Sequence, residues 1–162
     1  MCERCNYSEL LEKSGLPPTP HRLSVLKTIG NSPAPLDYKA IYRALEEARH
    51  PINRVTLYRI LDLLVEKGLI ERIGSGSRAP CYGSAPNAHH PRHPHFYCSV
   101  CGSMECLDPG SLHVDVRAIQ EAYPVRIQKV EVRLDGICGH CLTKEGGAHG
   151  GESDASRCRE RN

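Results

Sequence analysis

The stretch His93–Gly102, HPHFYCSVCG, sets two histidines and two cysteines within nine residues. Imidazole and thiolate are the donors that zinc and other late first-row metals favour. In an extended strand alternate residues face one side, so His93 and His95 can converge on a single ion. Cys98 and Cys101 form one Cys-x-x-Cys pair, and Cys138 and Cys141 form another after 36 intervening residues. Each pair sits beside a glycine, Gly102 or Gly139, that suits a tight turn. Four thiolates are the tetrahedral set of a structural zinc site. The reading is structural Zn2+ on Cys98, Cys101, Cys138 and Cys141, which would clip the two ends of a C-terminal domain together. A dithiol redox switch and scattered free thiols are the alternatives.

The surrounding composition bears on that choice. The chain has 162 residues, 9 of them Cys, no Trp and one Phe, a composition in which a small core is often helped by metal. The N-terminal MCERCNYSELLEKSG is charged and lacks the apolar stretch of a secretory signal. No apolar run approaches the roughly 20 residues of a membrane span. The expected location is the cytoplasm, where disulfides are disfavoured, so the cysteines point to metal or redox chemistry. Net charge is only +2, which neither demands nor excludes nucleic acid. Cys2 and Cys5 form a third pair, which could hold a metal with Cys158 or His149 or be free thiols at a flexible end.

These donors need elements to position them. Ser8, Thr19, Asp37 and Asn53 can each cap a helix, and Gly15, Gly30-Asn31-Ser32-Pro33, His50-Pro51 and Gly68 end them. In the fourth helix Leu57, Ile60, Leu61 and Leu64 form the buried stripe, which leaves Arg54, Thr56, Tyr58 and Arg59 nearer the other side. Leu69–Ile73 and Ala79–Gly83 then read as two strands about a Gly74–Ser77 turn. Helices closed by a hairpin make a winged-helix domain, here residues 1–83. Residues 84–94, SAPNAHHPRHP, form a hinge. Residues 95–143 form a second unit: strands at 95–100 and 103–107, a helix capped by Ser111 carrying Leu112, Val116, Ile119 and Tyr123, and a half-buried strand with Val130, Val132 and Leu134. Residues 144–162 read as a disordered tail. The fold class is α+β.

Four segments, TPHRLSVLKTI, NRVTLYRILDLLVEKGLI, HPHFYCSVCG and LDGICGHC, together resemble the ferric uptake regulator family of metal-responsive bacterial transcription factors. The resemblance runs over roughly residues 8–142 and is nearest the zinc uptake regulator branch. It implies a winged-helix DNA-binding domain, a hinge and an α/β dimerisation domain with structural zinc. It further implies a homodimer that represses from an inverted-repeat operator of double-stranded DNA, with no membrane partner, no small-molecule substrate and no enzymatic activity. By that similarity Tyr58 and Arg59 contact bases, and Arg54 and Thr56 contact phosphate. The family often carries a basic residue before the Thr-x-x-Arg motif. Pro17-Pro18 stand there instead, with Arg22 or Lys13 as substitutes.

The resemblance also implies a sensory site shared by both domains: His93 and His95, Cys81 from the second wing strand, Glu71 after the fourth helix, and Cys106 where many relatives have a ligating Glu. Thiolate with imidazole suits zinc. A regulatory Zn2+ is the primary reading, with Fe2+ or peroxide sensing as alternatives within the family. His89, His90 and His113 match part of a secondary site. A zinc enzyme is the competing class. However, the chain has neither the His-x-Glu with Pro-Cys-x-x-Cys of deaminases nor the His-Glu-x-x-His of metalloproteases.

Overall fold

A computed structural model describes residues 6–74, 79–87 and 90–145. The chain divides into two compact units, one ending at Pro91 and the other beginning at Arg92. The expected sites at Cys2/Cys5, Cys158, His149 and His89, most of the Gly74–Ser77 turn and all of the tail beyond residue 145 lie outside the described residues.

The first unit contains α1 (Tyr7–Lys13), α2 (Pro20–Gly30), α3 (Tyr38–Glu47) and α4 (Arg54–Glu66). Two predicted caps form as expected: Asp37 Oδ1 accepts from Ala40 N at 2.7 Å and Asn53 Oδ1 from Thr56 N at 2.8 Å. Thr19 occupies its N-cap position without a side-chain bond, and Pro20 supplies the preset backbone angle instead. Ser8 is inside α1 rather than at its cap, because Asn6 upstream takes the Glu9 N–H. Gly68 ends α4 at φ +65°, a conformation that strains other residues. Val25, Ile41, Leu45, Leu57, Leu61 and Leu64 meet in one core, each 1% exposed or less.

A three-stranded sheet closes this bundle in the order β1 (Leu36–Asp37), β3 (Cys81–Ser84), β2 (Ile70–Ile73), all antiparallel. β1 was not expected; it is only two residues long. Its register sets Leu36 opposite Tyr82 and Asp37 opposite Cys81. Tyr82 and Ile70 are buried in the helical core. Ile73 stands opposite Cys81 and Glu71 opposite Gly83, so Cys81 and Glu71 share the other face of the sheet as diagonal neighbours.

The second unit contains β4 (His95–Cys98), β5 (Met104–Cys106), α5 (Val116–Ala122), β6 (Arg133–Gly136) and α6 (Gly139–Glu145). The strand order is β5-β4-β6, with β4 antiparallel to β5 and parallel to β6. Gly136 lies where a Cβ would come within 2.9 Å of the Phe96 ring, so the close β4–β6 approach needs a glycine. The helix expected from Ser111 begins instead at Val116, capped by Asp115, whose Oδ1 accepts from Ala118 N at 2.9 Å. Ser111 is occupied elsewhere: its hydroxyl donates to Asp108 O at 2.7 Å within the turn that precedes the helix. α5 has no buried residue, and Ile119, Tyr123 and Leu134, expected on covered faces, are exposed within this chain.

The same helix that carries Arg54 and Arg59 also builds the core. Leu61→Ala should therefore cost about 2–5 kcal/mol, against about 1 kcal/mol for Asn53→Ala. Urea denaturation followed by helical circular dichroism checks both; equal losses would mean that the cap matters as much as the core.

Candidate metal centres and nucleic-acid interface

One ligand atom from each of Cys98, Cys101, Cys138 and Cys141 lies within 4.8 Å of all the others. Cys98 ends β4, and Cys101 follows in a turn closed by Gly102 N donating to Cys98 O at 2.9 Å. Gly102 takes φ +73°, as its place in the turn requires. Gly139, expected to do the same, is instead the first residue of α6, which sets Cys138 just before the helix and Cys141 within it. The Cys101 and Cys138 sulfurs are 3.8 Å apart. A disulfide would bring them to about 2.05 Å. Tetrahedral ligation with bonds of about 2.3 Å separates sulfurs by roughly 3.8 Å. Cys138 N donates to Cys98 Sγ at 3.3 Å, a bond that a charged sulfur accepts best. Burial, and then hydrogen bonding with the thiols of Cys138, Cys101 and Cys98, pushes Cys141 well above the ordinary thiol range. The donor set and its spacing fit one tetrahedral ion.

A second cluster forms around the first residue of β4. His93, His95 and Cys106 each offer a ligand atom within 4.8 Å of the other two. His95 lies directly opposite Cys106 in the β4–β5 ladder. The two imidazole centroids are 4.7 Å apart. Cys106 is exposed as a residue, yet its thiol is shielded enough that burial pushes its pKa up. Strand alternation turns Phe96 and Cys98 to the face opposite His95, and Phe96 indeed packs with the cysteine cluster. The two donor sets therefore occupy opposite faces of β4. Cys81 and Glu71 belong to the first unit and share a face of its sheet. His90 lies in the first unit and His113 in the second.

On α4 the expected division holds. Leu57, Ile60, Leu61 and Leu64 are buried, Arg54, Tyr58 and Arg59 are exposed, and Thr56 is half-buried at the first turn. The sequence reading passed over Val55, which is 61% exposed on the same outer face. It also passed over a row of rings. Tyr58 stacks on Tyr38 of α3, with centroids 4.1 Å apart and planes 7° from parallel. Tyr38 neighbours Tyr42 at 6.2 Å, and the Arg54 guanidinium lies 5.9 Å from the Tyr42 ring centre. Tyr38 and Tyr42 fall at helical spacing with Ile41 and Leu45 and pack against the core, while their rings also form this row. Burial pushes the Tyr38 hydroxyl above its ordinary range, with Tyr58 adding to the rise and Arg54 opposing it. Arg22 Nη1 donates to Pro17 O at 3.0 Å, and Lys13 pairs with Glu9.

A helical bundle closed by a small sheet and a unit bearing clustered metal donors agree with the comparisons, by which the chain is one of a family of metal-responsive DNA-binding transcription regulators. A model of the ferric uptake regulator family matches residues 13–135, and the chain belongs to that family. The ferric uptake regulation protein of Campylobacter jejuni is 26% identical over 83% of this chain and 85% of its own. The peroxide operon regulator of Bacillus subtilis is 27% identical over 85% and 92%. Among solved structures, the ferric uptake regulator of Vibrio cholerae superposes with a TM-score of 0.65 at 22% identity, covering 81% of this chain and 98% of that one. A zinc uptake regulator complexed with zinc and DNA gives 0.58 at 21%, covering 89% and 100%. The fold is a winged-helix domain followed by an α/β domain. Among the described residues no helix is long and apolar enough to cross a membrane.

Cys138→Ser should remove one metal equivalent per chain and destabilise the second unit, since a structural zinc site contributes about 10–16 kcal/mol of binding energy to folding. Native mass spectrometry with thermal denaturation tests this; wild-type metal content in the variant would sink the four-sulfur assignment.

Proposed function

We propose that this protein is a zinc-dependent transcriptional repressor that binds an inverted-repeat operator as a homodimer. The observation that carries the reading is the His93–His95–Cys106 cluster, in which a thiol stands cross-strand from an imidazole. Thiolate and imidazole together favour zinc over the harder ferrous ion, for which carboxylate-rich sets are better suited. In this reading Cys81 and Glu71 complete the regulatory site from the wing sheet. The shared face they occupy supports that role. Cys98, Cys101, Cys138 and Cys141 hold a separate structural zinc. In this reading the regulatory ion and DNA are coupled through the protein. The coupling is thermodynamic: the donors must bind metal more tightly in the arrangement that fits DNA, and DNA then tightens metal binding by the same factor.

The dimer is supported by surfaces that this chain leaves uncovered. Tyr123, Val125, Leu134 and Leu142 are each 45–62% exposed, all in the second unit. β6 is an edge strand of its sheet. A second copy would cover both the apolar residues and the open edge. On DNA, Arg59 is read as the guanine contact, Tyr58 and Val55 as apolar surface for thymine methyls, and Arg54 and Thr56 as phosphate contacts.

Selection from random DNA duplexes, run with zinc, with anaerobic ferrous iron and with the weak site stripped by chelator, should enrich an inverted repeat only with zinc. Enrichment only with iron would overturn the metal assignment and keep the mechanism; enrichment in every tube would detach the cluster from DNA binding. Against the selected duplex, Arg59→Ala should lose about 1–3 kcal/mol of discrimination at one base position. Unchanged base preference would end that assignment. Cys81→Ser and Cys106→Ser should each raise the zinc concentration needed for DNA binding while metal at the four-cysteine site is retained. A wild-type zinc titration in either variant would remove that residue from the regulatory site.

A further inference from the structure

We propose that Tyr38, at the start of α3, is a positioning residue for DNA reading: its ring holds the Tyr58 ring in the pose that meets a thymine methyl. The proposal rests on the assignment of α4 as the recognition helix.

Tyr58 is 49% exposed, and an exposed aromatic side chain on a helix surface would otherwise change rotamer on the ps–ns scale. Here one face of the ring is covered. The 4.1 Å separation and 7° angle describe two rings in near-parallel face contact, closer than the usual aromatic pair. The other surface of Tyr58 stays open to a ligand.

Tyr38 is itself well anchored. The residue before it, Asp37, is fixed twice: its backbone pairs with Cys81 in the sheet, and its carboxylate accepts from Ala40 N at 2.7 Å. Tyr42, one helical turn on, flanks the Tyr38 ring at 6.2 Å. Arg54 then reaches back from α4 to the Tyr42 ring. α4 thus engages α3 at two points one turn apart, Arg54 on Tyr42 and Tyr58 on Tyr38. Tyr38 and Tyr42 are half-buried and also pack against the apolar core that joins the helices, so a test of the row must read pose and stability separately.

The Tyr38 hydroxyl oxygen is buried and has no hydrogen-bond partner among the described residues. It makes no hydrogen bond that phenylalanine would lose. The ring carries the role, which makes phenylalanine the conservative replacement. Holding a contact side chain in its bound pose before binding removes an ordering cost that association would otherwise meet.

The experiment uses the full-length, zinc-loaded protein and a duplex recovered by the selection above, with each thymine replaced singly by uracil to delete only the C5 methyl. Wild-type protein should lose about four-fold in affinity at a thymine in each half-site, the effect of one buried methyl group. Tyr58→Ala should abolish that discrimination. Tyr38→Leu should abolish it at the same position and weaken binding roughly three- to ten-fold, with the salt dependence of binding unchanged because no phosphate contact is lost. Tyr38→Phe should behave as wild type in both respects. A purely structural role for Tyr38 would lower the melting temperature and leave the thymine-to-uracil ratio intact. Full discrimination in Tyr38→Leu, or a Tyr38→Phe defect as large as that of Tyr38→Leu, would overturn the proposal. If Tyr58→Ala also keeps every thymine preference, the recognition-helix assignment fails with it. If Tyr58→Ala loses the preference and Tyr38→Leu does not, only the role of Tyr38 falls.

Discussion

The second unit depends on what happens at the last residue of β4. Cys98 is fully buried, lies opposite Gly136 in the parallel ladder, and accepts the backbone N–H of Cys138 on its sulfur. These contacts bring together segments that are 40 residues apart in sequence. Few large apolar side chains are available to do this work: the cluster around Cys98 consists of cysteines with Phe96 and Ile137. A cluster of four cysteines stands where a hydrocarbon core would otherwise be, as expected where a small unit lacks the apolar mass to hold itself. His95 stands three residues upstream on the same short strand and faces the opposite side. Whatever fixes Cys98 therefore fixes the backbone from which His95 projects. This is why one ten-residue stretch carries donors of two kinds, one set building the strand and the other using it.

The first unit solves a different problem. α4 must be both a core helix and an exposed one. Its four inward aliphatic residues bind it to α2 and α3, and its outer face is left with Arg54, Val55, Tyr58 and Arg59. An outer face of long side chains is normally soft. The aromatic row from Tyr58 through Tyr38 to Tyr42, whose last two rings also pack against the core, covers one side of it.

Much of this could be read from the chain, and the places where it could not have definite causes. Asp37 and Asn53 announced their helices because each is the one short polar side chain placed to reach the first free N–H groups. Ser8 and Ser111 misled because a competitor was closer: Asn6 took the cap of α1, and the Asp108 turn took the Ser111 hydroxyl. A two-residue strand such as β1 has no periodicity to detect, since its pairing with β3 is a tertiary fact. Tyr38 and Tyr42 fall at helical spacing, which marks a face but not whether that face meets aliphatic core or another ring. Leu134 alternates as a half-buried strand residue should, yet it is exposed among the described residues. The cysteine pairs were the most legible feature, because ligation demands a spacing that little else in a sequence imitates. Which glycine makes the turn was not legible, and only Gly102 does.

Asp37 is the joint at which these arrangements meet. It is the ladder partner of Cys81, the cap of α3, and the immediate neighbour of Tyr38. From the backbone opposite Cys81 to the ring behind Tyr58 the path is a single peptide bond and one stack. There is no loose loop in that path to absorb a displacement. A displacement of the Cys81 strand would therefore pass within the first unit to the Tyr58 ring on the outer face of α4. The outer face of α4 is in that sense tied to the sheet at its side as well as to the helices beneath it.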